Sequence, residues 1–169
     1  MKIGILGGSF DPAHKGHLAI SKEAKKRFKL EKIIWAITKR NPLKAESKTP
    51  ISKKIKDCKK IIGINSFIKV KFYENIIKSN KTIDLINYLK KNRNIEIFFL
   101  MGADNLISFH KWHKSKLISQ KCNIIVFDRH GYKKNSLKSK TFKRLNNKTL
   151  TFVEFKKVNI SSSQLRKIW

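Results

Sequence analysis

The stretch Gly7-Gly8-Ser9-Phe10-Asp11-Pro12-Ala13-His14-Lys15-Gly16-His17 decides the fold. It follows an apolar run, Ile3 to Leu6, and leads into residues of helical periodicity. Strand, glycine turn and helix N-terminus in succession make the local arrangement that holds phosphate. Adjacent glycines let backbone N–H groups come close to an anion. His14 and His17 are three residues apart, so both are expected to face one way on the first helical turn. A zinc site would need a third or fourth ligand, and none stands at metal spacing. Phosphate handling is therefore favoured over zinc, and over a turn with incidental histidines.

Outward from this loop, apolar runs and helical patterns alternate. Lys2 to Leu6, Lys32 to Ile37, Ile68 to Tyr73, Ile95 to Met101, Asn123 to Phe127 and Leu150 to Phe155 read as strands. Their continuous apolar character suits parallel strands buried on both faces. Helices are expected over Ala13–Leu30, over a segment capped by Thr49 and running to about Ile64, and over Thr82–Lys91. Asn75 to Asn80 reads as a polar connection, and Leu106 to Leu117 as a short helix and loop around Trp112. Arg129 to Asn147 reads as an exposed loop with at most one short helix, and Ser161 to Trp169 as the start of a helix. The alternation predicts an α/β fold: a Rossmann-like, doubly wound, mostly parallel sheet of five to six strands, with helices on both faces. One domain over residues 1–169 is expected.

The formal charge is +29, from 40 basic and 11 acidic residues. The lysines are spread over every segment, so we read them as solvated surface that attracts anionic substrates, rather than as a dedicated nucleic-acid interface. A non-enzymatic nucleic-acid-binding module is the rival class. No apolar run has the length of a membrane span, and Gly7 to Asp11 interrupts any signal-peptide core, so a cytoplasmic protein is expected. Cys58 and Cys122 lack metal-ligand spacing and are expected as reduced, partly buried thiols. His110 and His113 flank Trp112 and are expected to be mostly exposed.

A second motif lies at the far end: Ile160-Ser161-Ser162-Ser163-Gln164-Leu165-Arg166. Serine hydroxyls and N–H groups at a helix start, with an arginine one turn on, suit a polyphosphate. With His14-Lys15-Gly16-His17, this resembles the two signatures of the His-x-Gly-His nucleotidyltransferases. Within them the chain is similar to the bacterial nicotinate-nucleotide adenylyltransferases. Gly7 to Pro12, Met101-Gly102-Ala103-Asp104-Asn105-Leu106 with Phe109-His110-Lys111-Trp112, Asn41-Pro42-Leu43-Lys44 and Asp128-Arg129 match that group in order along the whole chain.

The resemblance implies adenylyl transfer from ATP to nicotinate mononucleotide, giving nicotinate adenine dinucleotide and pyrophosphate, in NAD biosynthesis. Nicotinamide mononucleotide and phosphopantetheine remain alternative acceptors. It implies His17 at the α-phosphate, His14 at the triphosphate beside it, and Arg166 with Ser161, Ser162 and Ile160 at the β and γ phosphates. Gly7, Gly8, Ser9 and Phe10 would hold nucleotide through their backbone, and Gly102 and Asp104 the adenosine half. Lys44, Thr82, Asp104 and Trp112 would meet the acceptor. For Thr82 a plain helix cap, and for Trp112 a core aromatic, are the competing readings. Asp11 is expected to shape the loop rather than act as a base. Mg²⁺ is expected with ATP, held by phosphate and water and not by a protein cage. A monomer and a homodimer are both left open.

Overall fold

The computed structural model describes residues 1–39, 47–91 and 94–155. Six strands form one sheet: β1 (Lys2–Gly8), β2 (Lys32–Ile37), β3 (Ile68–Lys71), β4 (Glu96–Gly102), β5 (Asn123–Phe127) and β6 (Leu150–Val153). Their order is β3-β2-β1-β4-β5-β6, and every pairing is parallel. This is the Rossmann-like doubly wound order, and it sharpens "mostly parallel" to fully parallel.

The strand period of two divides the core. Ile3 and Ile5, Ile34 and Ala36, Ile97, Phe99 and Met101, and Ile124 and Val126 point to one face. Leu6, then Ile33, Trp35 and Ile37, Phe98 and Leu100, and Ile125 and Phe127 point to the other. Both faces need a cover, because the four central strands β2, β1, β4 and β5 are apolar on both sides. Helices α1 (Lys15–Phe28) and α2 (Ile51–Ile62) cover the second face through Ala24, Cys58 and Ile62. The first face is covered by α4 (Thr82–Lys90), α5 (Ala103–Ser108), α6 (Ser115–Lys121) and α8 (Lys140–Leu145), which follow the one-turn α3 (Glu74–Ile77) and the short α7 (Lys133–Leu137). Ile83, Ile86, Leu106, Ile118 and Leu145 carry that packing. No helix among the described residues is long and apolar enough to cross a membrane.

Several local expectations are corrected. The connection expected over Asn75 to Asn80 begins within α3, because Ile76 and Ile77 close a turn onto the Tyr73 carbonyl. The 129–147 segment holds two helices, with Ser136, Thr141 and Leu145 buried. Its lysines face outward and hide that short-period pattern in the sequence. Pro50, not Thr49, occupies the cap position of α2 and makes no side-chain cap bond. Lys54, expected on a solvated face, is buried within α2. The helix expected over Ser161–Trp169 lies outside the described residues.

Candidate active site

The sheet register opens the site. The β1–β4 ladder stops at Leu6 opposite Leu100. Past that point Gly7 and Gly8 pair only with Ala36 and Ile37 of β2, and Gly102 pairs only with Phe127 of β5. The two central strands therefore part at their carboxyl ends, at the place where the strand order reverses. That crevice is where doubly wound sheets take ligands. Gly7, Gly8 and Gly102 form its lips.

From β1 the chain enters a tightly held loop. Phe10, at φ 46°, is fully buried and stacks on Trp35 with ring centres 5.0 Å apart. Its other neighbour is the His17 ring, at 4.7 Å. Asp11 accepts hydrogen bonds from Thr49 Oγ1 at 2.7 Å and from the Ser47 hydroxyl. The hydroxyl expected to cap α2 is thus spent on anchoring the loop, and Asp11 shapes it as expected.

His14 is the cap residue of α1, with extended backbone, rather than a member of its first turn. The Gly16 N–H donates to His14 Nδ1 at 3.1 Å, and the His14 N–H donates to His17 Nδ1 at 3.2 Å. This is a capping box built from two imidazoles, which satisfies donors a helix start otherwise leaves orphaned. The rings lie 3.9 Å apart. An imidazole that accepts at Nδ1 keeps its proton on Nε2, so both rings are set as Nε2–H donors. One more chain steadies the turn: Trp35 Nε1 donates to Ser21 Oγ at 2.8 Å, and Ser21 Oγ donates to the His17 carbonyl at 2.8 Å. Burial, and then the Arg129 charge, lower the His14 pKa from 6.5 to about 4.

Across the crevice, β4 ends at Gly102 and α5 begins. Asp104, in its first turn, pairs with Arg129 at 2.5 Å. The other Asp104 oxygen, Oδ1, is buried without a hydrogen-bond partner among the described residues. It occupies the space beside Gly102: a Cβ there would stand 2.6 Å from it. Residue 102 must therefore be glycine for the carboxylate to keep this position. Arg129, which the sequence reading noted only within a matching segment, joins Asp104 to the electrostatics of His14.

A narrow cavity lies on the β2 side, lined by Gly7, Thr38, Tyr73, Glu74, Thr82 and Phe99 among others. Thr82 is the first residue of α4, and Lys81 holds the cap position with no side-chain bond, so Thr82 is not the cap. Ser79 braces this start by donating to Asp84 Oδ2 at 2.6 Å and accepting the Lys81 N–H at 3.1 Å. Trp112 is half-buried one ring behind the cavity. It meets Phe99 edge-on at 5.9 Å and Phe109 at 5.3 Å. Glu74, Thr38 and Lys54 were not singled out as site residues from sequence, since nothing local marks their association. Lys44, Ile160, Ser161, Ser162 and Arg166 lie outside the described residues. His110 and His113 are exposed, as expected, and both cysteines are buried and free.

Comparison with known proteins agrees with this geometry. Residues 5–168 match the family described as cytidylyltransferase-like. A Pelagibacter ubique protein described as a "probable nicotinate-nucleotide adenylyltransferase" is 68% identical over 99% of this chain and 93% of its own length. A Bradyrhizobium sp. protein of the same description is 36% identical over 76% of this chain and 68% of its own. A solved structure of Plasmodium falciparum nicotinic acid mononucleotide adenylyltransferase complexed with NaAD superposes with a TM-score of 0.81 at 25% identity. It covers 98% of this chain and 82% of that one. With His14-Lys15-Gly16-His17 at the switch point of a fully parallel sheet, the chain belongs to the cytidylyltransferase-like family, among its nicotinate-nucleotide adenylyltransferases.

Proposed function

We propose that the chain transfers the adenylyl group of ATP to nicotinate mononucleotide, giving nicotinate adenine dinucleotide and pyrophosphate, as a step of NAD biosynthesis. The observation that carries this reading is the imidazole capping box. It sets two imidazoles as Nε2–H donors, their rings 3.9 Å apart at the start of α1, on the loop that leaves β1 next to the opening between β1 and β4. Such a site is made for negative charge already present in a substrate.

The acceptor phosphate is an anion near neutral pH, so its oxygen attacks the α-phosphorus without a strong base. The bond from α-phosphorus to bridging oxygen breaks, and pyrophosphate leaves. Catalysis then consists of alignment and of stabilising charge on the transferred group. On this reading His17 donates to the α-phosphate and His14 to the triphosphate next to it, while the backbone of Gly7, Gly8, Ser9 and Phe10 borders the nucleotide. Neutral imidazoles suit this role, since they donate without needing to change protonation. Gly102 and Asp104 hold the adenosine half, with Asp104 Oδ1, unpartnered among the described residues, as a ready acceptor for a hydroxyl. Ile160, Ser161, Ser162 and Arg166 take the β and γ phosphates. Lys44 takes the acceptor's phosphate, and Thr82, with the α4 N–H groups, its ring carboxylate. Trp112 serves the acceptor by backing Phe99.

Mg²⁺ enters with ATP as part of the substrate and offsets phosphate charge. The groups gathered here are N–H donors rather than metal ligands. That chemistry suits an ion held by phosphate and water.

Purified protein given ATP, Mg²⁺ and each of nicotinate mononucleotide, nicotinamide mononucleotide and phosphopantetheine provides the test. Preferred formation of nicotinate adenine dinucleotide supports the proposal. Preference for phosphopantetheine would overturn the acceptor while leaving adenylyl transfer in place.

A further inference from the structure

Lys54 stands behind the cavity. It lies on the inward face of α2, one turn before Cys58, and is 1% exposed. In a chain with 40 basic residues, it is the one buried lysine or arginine among the described residues. An ammonium taken from water is tolerated only where oxygen atoms replace its hydration. Its Nζ donates to the Thr38 carbonyl at 3.4 Å. Thr38 follows β2 directly, and its own N–H donates to the Gly8 carbonyl at 2.9 Å. Burial raises the pKa of the Glu74 carboxyl, at the start of α3, and the Lys39 N–H and then the Lys54 ammonium act against that rise. The Glu74 carboxylate accepts the Lys39 N–H with both oxygens, each at 3.3 Å. Thr38 and Glu74 both line the cavity, beside Gly7 and Thr82.

We propose that Lys54 is a positioning residue for acceptor choice: its buried charge offsets that of Glu74 and its Nζ holds the Thr38 carbonyl, so the cavity admits an acceptor with a negatively charged ring. This rests on the reading that the cavity takes nicotinate mononucleotide. A carboxylate in a half-buried wall repels an anionic ligand, and water screens that repulsion poorly there. Lys39 also acts on Glu74, but it is exposed and its field is damped by solvent. Lys54 is buried, so its field is damped least. Since it offers almost no surface to a ligand, its effect must pass through Glu74 and Thr38.

The test uses the whole protein at about pH 8, with ATP and Mg²⁺, and compares nicotinate with nicotinamide mononucleotide as substrate or competitor. Lys54→Met keeps the apolar stem and removes the charge. It is expected to raise KM for the nicotinate acceptor about tenfold, the scale of one uncompensated charge a few ångströms away in a partly solvated site. KM for ATP and binding of the amide acceptor should change far less, and Lys54→Arg should behave like wild type. The double variant Lys54→Met/Glu74→Gln should recover most of the loss. Glu74→Gln alone should shift preference further toward the nicotinate acceptor, which keeps the proposal testable if Lys54→Met fails to fold. Equal losses for both acceptors, no recovery in the double variant, or no shift with Glu74→Gln alone would each overturn the role of Lys54. Wild-type inactivity with both acceptors would instead overturn the proposed function, and this inference with it.

Discussion

Acidification isolates His14 when wild type is compared with His14→Asn. The imidazole caps α1 through Nδ1, which accepts the Gly16 N–H. Asparagine also accepts at a helix cap, so the variant keeps the cap and loses the titration. Native His14 titrates near 4, against an ordinary value of 6.5, because burial and then Arg129 disfavour its cation. Between those two values the unfolded chain binds a proton that the native chain refuses. Stability from this group is therefore complete above pH 6.5, and is lost as pH falls through about 4. The gap corresponds to at most about 3 kcal/mol at 1.36 kcal/mol per pH unit. His14 is partly open to solvent, and screening reduces this to roughly 1–2 kcal/mol. Urea unfolding across that range should show wild type losing about 1–2 kcal/mol more than His14→Asn. Other groups titrate in both proteins and cancel in the difference. A constant difference between the two would refute the argument, as would an NMR titration of His14 with a midpoint at its ordinary value.

Other perturbations follow from the same contacts. On the proposed role, His17→Ala removes a donor to the transferred phosphate, and turnover should fall about 10²–10³-fold in a pyrophosphate-release assay. Near-wild-type turnover in a folded variant would exclude the assigned role. Gly102→Ala places a Cβ 2.6 Å from Asp104 Oδ1. Displacing that carboxylate and its Arg129 partner should cost about 1–3 kcal/mol in denaturant titration and raise KM for ATP. Both cysteine thiols are pushed up to about 12, by burial first. A disulfide reagent at about pH 8 should therefore count no thiols in the native protein and two in denaturant, and rapid native labelling would contradict the burial.

The loop around His14 was legible because its chemistry is local. Gly16 and His17 meet His14 two and three residues away. Even so, sequence periodicity placed His14 inside the helix, and the structure makes it the cap. The reason is that both imidazoles use Nδ1 on backbone N–H groups, which a helical His14 would not allow. Thr49 illustrates the opposite limit. By pattern it is a helix cap, but its hydroxyl goes to Asp11, 38 residues away. Arg129 lay within a recognised segment, yet its link to Asp104 spans 25 residues and has no signal in either neighbourhood. Likewise Lys54 looked like one more surface lysine in a lysine-rich chain.

Sequence alone determined the strands, their mostly parallel arrangement and the glycine–histidine loop after β1. Those follow from continuous apolar runs and from glycine and histidine at fixed short spacings, which act over a few residues. Only the tertiary structure decided which strands part at Leu6 and Leu100, which carboxylate Arg129 binds, and that Lys54 is buried and acts on Glu74 rather than lying in water. Such relations depend on how distant segments meet across the sheet. Burial and long-range charge arise from that meeting, and no stretch of chain carries them by itself.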